Sequence, residues 1–520
     1  MKRTNVLMTV LLLAASFVAC DKDPVGEENG DSQLTLSPDS VVVRLFQSSP
    51  LSVTVRNASG ALENVPVSYV SRDVSVATVN ANGTINAVAV GSTYVVATVS
   101  NRPDVRDSVR VRVFSDLPQQ IPISGAVVPG MESYDSIISD FMRKHSIPGG
   151  AVAVMRDGKL IYARGFGYAD VENKTPAQPD ALFRIASVSK PITSAAIMKL
   201  VEEGKLELDD LVAPLIADLT PAPGATYDPR WEQITIRQLL NHSGGWDRGK
   251  QPGGFDPMDR PVVAASVVGA PAPASTETLI RYMKGMPLDF NPGERFAYSN
   301  FGFAILGLVL ERVTGMRYEE YVRSRVLQPL GANRTRSGKS RMSDALPEEV
   351  KYYFPGMTSV NAPLVPSVFP GEGLVPLNYG GFYMEGNFAS GAWVSSTIDL
   401  LRFLGGVDGL ANRPDILRAD VITQMTSVTN GSTVCGGGAC YYAGGWFVRP
   451  MAFDAIWWHG GTLPGTTAML IRTSNNFAMV GLLNTRALTG GLELPLYDAL
   501  WDALDAVSVF PTHDLFPTFR

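Results

Sequence analysis

Ser187 is the only serine of the chain that has a lysine three residues later, Lys190. Residues 192–198 are good helix formers, so we expect the pair at a helix N-terminus. Residues three apart on a helix share a face, which places the lysine amine beside the serine hydroxyl. A serine hydroxyl becomes nucleophilic when a neighbouring base takes its proton, and a desolvated lysine can be that base. Alone, this pattern is usually a solvated helix start.

Two further segments carry polar groups that could act with this pair. In residues 298–300, Tyr-Ser-Asn, a tyrosine can pass a proton to or from a lysine, and an asparagine can bind a substrate amide or ester. In residues 459–462, His-Gly-Gly-Thr, two glycines let the backbone approach a ligand and leave the N–H of Thr462 free to point into a cleft. Taken alone, residues 298–300 would be interpreted as a polar loop before a buried helix. Residues 459–462 would be interpreted as a bulge at a strand edge.

Together and in this order, the three segments resemble the class C β-lactamase and penicillin-binding-protein-like serine hydrolase family. That family includes esterases, D-aminopeptidases, DD-peptidases and acyltransferases. The resemblance runs from about residue 131 to 507 and includes FRIASVSKPITSAAIMKLVEEGKLELDD, TIRQLLNHSGGW, PGERFAYSNFGFAILGLVLERVTG, LQPLGANRT and WWHGGTLPGTTAMLI. It implies an α+β fold in which an antiparallel sheet is flanked by helices and joined by a helical subdomain.

The resemblance also implies roles for single residues and a small-molecule acyl substrate, without metal or organic cofactor. Ser187 would be the acylated nucleophile, and Lys190 would help to deprotonate it. Tyr298 would be a general base and then the acid for the leaving group. The implied substrate-binding residues are Asn300, His459, Gly461 and Thr462, with the backbone N–H groups of Ser187 and Thr462 as the oxyanion hole. His242 matches a loop near the family's site, and we interpret it as structural.

The third segment departs from the β-lactamase pattern, in which many relatives have Lys-Thr-Gly. That box binds the carboxylate of a β-lactam or a D-Ala terminus, whereas His459 is expected to be charged only part of the time near neutral pH. Four tryptophans near the motifs predict an apolar cleft: Trp246, Trp446, Trp457 and Trp458. We therefore expect ester or amide substrates with small or apolar acyl groups. β-Lactamase or DD-peptidase activity, acyl transfer to an alcohol, and a non-catalytic binding or sensor role stay open.

The N-terminal residues predict export and a lipid anchor. Lys2 and Arg3 precede an apolar run, residues 6–18, that is too short for a transmembrane helix and ends near Cys20. Residues 17–20 resemble a bacterial lipoprotein signal, so we expect a signal peptide over 1–19, lipidation of Cys20 and a flexible tether over 20–33. The protein would then be held in the cell envelope, periplasmic or at the outer surface, by its lipid alone. Secretion with a free Cys20 is the alternative.

Residues 34–114 contain short alternating strand patterns and an Asn82-Gly83 turn, which predict an all-β sandwich. The stretch SVATVNANGTINAVAVGSTYVVATV resembles the bacterial Ig-like group 2 family. Such modules space or display a partner domain, and contact with a surface glycan or protein stays open. Residues 115–130 contain prolines and predict a linker, and residues 131–510 predict the α+β hydrolase domain, whose terminal strands share one sheet.

The composition argues against several other classes of protein. Lys and Arg number 44 against 50 Asp and Glu, so no nucleic-acid partner is expected. The 45% of hydrophobic residues argues against a mostly disordered chain, and three cysteines with four histidines leave little material for a metal site. Cys435 and Cys440 bracket a glycine-rich loop, and we predict a disulfide between them, with free thiols as the alternative.

Overall fold

The computed structural model describes residues 32–45, 47–114, 121–355, 362–429, 434, 439–452, 454–487 and 491–519. Contacts divide the chain into two compact units, Met1–Ser115 and Asp116–Arg520, and each has its own hydrophobic core. The predicted signal peptide, Cys20 and Cys435 lie outside the described residues.

The first unit is all β in its described part, as the sequence predicts. Alternate side chains of its strands are buried, so β-branched residues on one face of each strand form the core. Gly83, with φ of 76°, forms the turn of the predicted hairpin. The strands are Gln33–Ser37, Ser40–Arg44, Ser48–Pro50, Ser52–Arg56, Val67–Ser71, Ala77–Val79, Thr84–Ala87, Gly91–Val99 and Arg102–Phe114.

The second unit is organised around an antiparallel sheet. In spatial order its strands are Ile123–Ser124, Lys159–Asp170, Gly149–Arg156, Phe477–Leu483, Thr466–Arg472, Ala455–Leu463, Trp446–Pro450 and Tyr441–Ala443, with Thr175–Pro176 beside Lys159–Asp170. Gly149–Arg156 pairs along its length with Phe477–Leu483, so N-terminal and C-terminal strands share the sheet as predicted. The strand Tyr441–Ala443 forms one edge of this sheet and pairs with Trp446–Pro450. Shorter strands are Phe183–Arg184, Arg336–Ser337, Leu364–Pro366, Leu374–Pro376 and Trp393–Ser395.

Helices contribute the remaining layers of the second unit, which makes it an α+β fold. The terminal helices Glu132–His145 and Glu493–Asp505 contact each other, and Thr397–Leu404 contacts the sheet. The other α-helices are Ser189–Glu202, Val212–Leu215, Ile236–Leu240, Pro261–Val268, Thr276–Lys284, Asn300–Thr314, Tyr318–Val322 and Ala419–Met425. Among the described residues, no helix combines the length and the apolarity that crossing a bilayer requires.

Three neighbouring elements carry the sequence motifs. The Lys190 helix (Ser189–Glu202) contacts the Asn300 helix (Asn300–Thr314), and both contribute apolar side chains to the large core. The Ser299 hydroxyl accepts a hydrogen bond from the backbone N–H of Gly302, which caps the Asn300 helix and fixes where it begins. The Ser187 turn (Ala186–Val188) contacts the His459 strand (Ala455–Leu463). The motifs therefore meet where helices join the sheet.

Candidate active site

Ser187 lies in a single 3-10 turn that leads directly into the Lys190 helix. The sequence pattern predicts this position at a helix N-terminus, and the structure places it there. Ala186, immediately before it, has φ of 49°, a left-handed conformation that residues other than glycine adopt rarely. Such a conformation persists only when surrounding contacts hold it, and it is frequent at functional sites.

The Lys190 side chain is fully buried and its amine reaches three oxygens. Nζ lies 3.2 Å from Oγ of Ser187, 2.7 Å from Oδ1 of Asn300 and 2.7 Å from the backbone oxygen of Ser390. Burial lowers the pKa of Lys190 well below its ordinary value, and the positive charge of Arg248 acts in the same direction, although Asp256 opposes both. The environment thus favours the neutral amine.

Tyr298 contacts both members of the serine–lysine pair. Its phenol oxygen forms a side-chain hydrogen bond with Ser187, and its ring centre lies 4.8 Å from Nζ of Lys190. Desolvation raises the pKa of Tyr298 well above its ordinary value, only partly offset by the Ser187 hydrogen bond and by the Arg248 guanidinium, 4.7 Å from the ring centre. The phenol is therefore protonated at neutral pH.

Asn300 joins Lys190 to a carboxylate that the sequence reasoning did not single out. Its Nδ2 donates to Oδ2 of Asp256 at 2.8 Å, while its Oδ1 accepts from Lys190. Asp256 is 5% exposed, and its other oxygen accepts from the backbone N–H of Met258. Arg248 lies 3.6 Å from the same carboxylate. Only folding brings Asp256 to Asn300, since the two residues are 44 positions apart.

The His459 strand passes directly beside the Ser187 turn, and Gly461 makes this approach possible. A Cβ at Gly461 would lie 2.4 Å from the backbone oxygen of Ile185 and 3.1 Å from the backbone nitrogen of Ser187. A side chain there would force the two segments apart. Ser187 and Thr462 both line the same cleft, so two backbone segments of the predicted oxyanion hole face one cavity.

The charge expected for His459 is corrected by the structure. His459 is 1% exposed, its Nδ1 donates to the backbone oxygen of Gly460 at 2.6 Å, and its Nε2 accepts from the Tyr442 hydroxyl at 3.0 Å. Burial, with Lys190 nearby, lowers the pKa of His459 to about 3. The imidazole is therefore neutral at physiological pH, and both of its nitrogens already have protein partners.

His242 supports the segment that carries Tyr298. Its Nδ1 accepts a hydrogen bond of 3.2 Å from the backbone N–H of Ser299, and its ring centre lies 4.2 Å from that of Tyr298. Burial lowers the pKa of His242 well below its ordinary value, and nearby Lys190 acts in the same direction. These contacts agree with a structural role for a neutral imidazole.

The motifs open onto a cleft of about 870 Å³. Only part of its apolar lining comes from the tryptophans that the sequence predicts there. Of the four tryptophans, Trp458 lines this cleft, whereas Trp246 and Trp446 are buried in the core. Trp457 lines a different cavity, because successive residues of a strand point to opposite faces. The other aromatic residues of the cleft are Phe296, Tyr298, Phe382, Tyr383 and Phe447.

Charged residues that the sequence reasoning missed also line the cleft. They are Arg248, Asp259, Arg486 and Glu493. Burial, reinforced by the neighbouring charge of Asp256, raises the pKa of Asp259 to about 6. Arg486 forms no ion pair with a described residue, although its charge acts on Asp259. The cleft therefore holds two arginines and two carboxyl groups, which the motifs alone do not indicate.

Comparison with known proteins decides the family. Residues 134–500 match the family described as Beta-lactamase, which is more than half of the chain. The chain belongs to the β-lactamase family. Residues 32–109 match the bacterial Ig-like domain (group 2). Both resemblances predicted from the sequence are confirmed, and with them the membership of a family of serine hydrolases.

Two curated relatives and one solved structure illustrate this membership. Protein flp of Staphylococcus aureus (strain COL) is 27% identical over 358 residues, covering 68% of this chain and 63% of that protein. Penicillin-binding protein 4* of Bacillus subtilis (strain 168) is 29% identical over 339 residues, covering 62% and 65%. The chain thus spans less than two thirds of either relative. The octameric penicillin-binding protein homologue from Pyrococcus abyssi aligns with a TM-score of 0.52 and 27% identity over 68% of this chain and 73% of that one.

Within the described ranges, no group of three or more His, Cys, Asp or Glu side chains is arranged to hold a metal ion. Cys440 is disulfide-bonded and fully buried. Its predicted partner, Cys435, lies outside the described residues.

Proposed function

We propose that the protein is a serine hydrolase that cleaves ester or amide bonds through an acyl-Ser187 intermediate. The geometry of the Lys190 amine carries this proposal. A neutral amine has two N–H groups and one lone pair, and two oxygens, Oδ1 of Asn300 and the backbone oxygen of Ser390, lie at 2.7 Å. These acceptors take both hydrogens, so the lone pair is left for Ser187, whose Oγ is 3.2 Å away. This is the arrangement a general base requires.

The reaction follows from these contacts. The Ser187 hydroxyl attacks the substrate carbonyl and its proton passes to Lys190, while the carbonyl oxygen becomes an oxyanion. The backbone N–H groups of Ser187 and Thr462 would stabilise that oxyanion. When the tetrahedral intermediate collapses, the leaving group takes a proton from Tyr298, which Lys190 reprotonates. Water then attacks the acyl-enzyme, loses its proton to the same groups, and releases the acid and free Ser187.

The cleft supports a preference for esters with small or apolar acyl groups. Phe447 and Trp458 stack with ring centres 5.5 Å apart on its wall, and neutral His459 adds no charge beside them. An apolar acyl chain gains from leaving water for such a surface, whereas a carboxylate loses hydration there. Acyl transfer to an alcohol uses the same intermediate, and adding an alcohol and analysing the products separates it from hydrolysis.

A fluorophosphonate probe tests the nucleophile directly. Intact protein is expected to be labelled at Ser187, whereas Ser187→Ala is expected to stay unlabelled. Ser189→Ala is the matched control, because it removes the neighbouring hydroxyl that accepts from the backbone N–H of Trp393 inside the core. Equal labelling of wild type and Ser187→Ala would refute the assignment.

A second candidate, hydrolysis of a carboxylate-bearing amide or β-lactam, is favoured by two arginines of the cleft. Arg248 and Arg486 supply the positive charge that His459 lacks, and arginine binds carboxylates well. The name of the relative Penicillin-binding protein 4* points the same way. The kcat/KM for p-nitrophenyl butyrate is expected to exceed that for nitrocefin. The reverse order, together with a loss of nitrocefin turnover in Arg486→Ala, would favour the second candidate.

We also propose that the chain is anchored to the cell envelope by a lipid on Cys20. The charged start, the apolar run over residues 6–18 and the position of Cys20 support this. Metabolic labelling with a radioactive fatty acid is expected to mark the wild-type protein and not Cys20→Ser. In chain order, the Ig-like unit would then lie between the lipid anchor and the hydrolase unit.

A further inference from the structure

Asp256 is a buried carboxylate that the proposed reaction does not use, yet it bonds to a residue that the reaction needs. Its side chain is 3% exposed, and one oxygen accepts from the backbone N–H of Met258. The other oxygen accepts from Nδ2 of Asn300 at 2.8 Å. The cation of Arg248, whose side chain is half exposed, lies 3.6 Å from this carboxylate. Burying a carboxylate is costly, so its bonds to Asn300 and Met258 need to be kept.

The Asn300 amide can take two orientations that differ by exchange of its oxygen and nitrogen. With the oxygen toward Lys190, the lysine donates an N–H to it and keeps the lone pair for Ser187. In the exchanged orientation the amide NH₂ faces Lys190 and donates to that lone pair, which removes the base. A neutral amine can donate or accept, so Lys190 does not select between the two by itself.

Asp256 does select, because both of its oxygens accept hydrogen bonds, one from Met258 and the other from Asn300. The Asn300 NH₂ donates a hydrogen bond to Asp256. In the exchanged orientation, the Asn300 oxygen would meet the carboxylate oxygen, which places two acceptors in contact without a hydrogen between them. We propose that Asp256 is a positioning residue that fixes the Asn300 amide with its oxygen toward Lys190 and so keeps the lysine lone pair directed at Ser187. This inference rests on the proposed function, since it concerns how Ser187 is deprotonated.

Asp256 also acts on Lys190 by its charge. The charged and titratable groups near the Lys190 amine are Asp256 and Arg248 on one loop, Tyr298 and His242 beside it, and His459 on the strand. Asp256 raises the pKa of Lys190, in opposition to burial and Arg248. Removing the carboxylate charge therefore lowers the pKa of Lys190 further. Because the proposed reaction needs the unprotonated amine, the acid limb of the pH profile of kcat/KM, where activity falls at low pH, is expected to move to lower pH.

Asp256→Asn in the full chain tests the inference, because it keeps the size of the side chain and adds an NH₂ that permits the exchanged amide. We expect kcat/KM for p-nitrophenyl butyrate to fall roughly ten- to hundredfold, mostly in kcat, the scale of a misplaced catalytic group. Asp247→Asn is the matched control, since it removes a carboxylate of the same loop that bonds Gly249 and Arg295 and not Asn300. It is expected to stay within about threefold of wild type.

A double-mutant cycle separates positioning from loop damage. In an Asn300→Ala background, Asp256→Asn is expected to cost less than about threefold further, because its effect passes through Asn300. An equal loss in both backgrounds would overturn the inference, as would wild-type kinetics for Asp256→Asn. An unmoved acid limb would also count against it.

A second pair of variants covers the case in which Asp256→Asn does not fold. In Asp256→Glu and Asp256→Gln the new side chains have nearly the same size, but only the Glu carboxylate accepts hydrogen bonds at both terminal atoms. The Glu variant is expected to turn over faster, and equal rates overturn the inference. Absence of both wild-type turnover and Ser187 labelling would overturn the proposed function and this inference with it. An active wild type with unaffected Asp256 variants would overturn the inference alone.

Discussion

The two walls of the cleft contribute to the site in different ways. The helical wall, made by the Ser187 turn, the Lys190 helix and residues 298–300, contributes side chains linked by hydrogen bonds of 2.7 to 3.2 Å. The strand wall, made by the His459 strand, contributes mainly backbone, because Gly460 and Gly461 have no side chains and both nitrogens of His459 are bonded within the protein. On the helical wall, reactivity depends on the burial and charge of side chains. On the strand wall, it depends on how closely the strand backbone approaches Ser187.

This difference predicts opposite sensitivities to mutation. The helical wall is sensitive to loss of a functional group, since desolvation favours the neutral amine of Lys190 and the protonated phenol of Tyr298. The strand wall is sensitive to added volume, since a Cβ at Gly461 meets backbone that cannot rotate away. Replacing the neutral side chain of His459 on the strand wall by another neutral side chain is therefore expected to have little effect on the chemistry.

The largest effect is expected at Lys190. Lys190→Met keeps an unbranched side chain and removes the amine, so kcat/KM for an ester is expected to fall about a thousandfold, within the range for a lost general base. Lys199→Met on the same helix is the control, because Lys199 pairs with Glu202 and not with the cleft. Steady-state kinetics measure both, and a loss under tenfold for Lys190→Met would contradict the role of its amine.

Adding one methyl group to the strand wall gives the next test. Gly461→Ala is expected to lower kcat/KM by about a hundredfold, because the strand must move from the Ser187 backbone and its oxyanion donors. Gly460→Ala is the comparison, since a Cβ there meets side-chain atoms at 3.4 Å, an ordinary contact, and a much smaller loss is expected. Similar losses in the two variants would show that close approach at Gly461 is not the cause.

The smallest catalytic effect is expected at His459. His459→Asn keeps a neutral side chain, so kcat/KM is expected to fall less than about tenfold and its acid limb to stay in place. A shifted limb would show that His459 titrates in the folded protein.

The same variant has a measurable effect on stability. The pKa of His459 is lowered from 6.5 to about 3, so below pH 6.5 the unfolded chain binds a proton that the folded protein does not. Stability is therefore lost as the pH falls through this window, by about 1.4 kcal/mol for this group between pH 7.5 and 5.5. Urea unfolding at both pH values is expected to show a smaller decrease for His459→Asn than for wild type.

Local patterns predicted the elements that carry the site. An Asp-Gly step such as Asp157-Gly158 favours a hairpin, and one joins Gly149–Arg156 to Lys159–Asp170. Spacing around Ser187 predicted a helix N-terminus, and the resemblance of three separated segments predicted the family that residues 134–500 match. These features depend on residues close in sequence or on motif order, both of which are visible in the chain itself.

The orientation and burial of single side chains could not be predicted from such local patterns. The strand that carries Trp457 and Trp458 turns one away from the cleft, and burial makes His459 neutral where its ordinary pKa allows partial charge. Arg248 and Arg486 reach the cleft from separate loops, and Asp259 from the short 3-10 helix Pro257–Asp259, without a local pattern to mark them.

By itself the amino-acid sequence determined the family, the α+β class and which hydroxyl, amine and phenol belong together, because these depend on residue types and their order. The tertiary structure alone decided the lowered pKa values of Lys190 and His459, the contact of Asp256 with Asn300, and the need for Gly461. Each depends on desolvation or on atoms from distant segments meeting within about 3 Å, the range of a hydrogen bond. Such distances are set by folding and are not encoded at any one position.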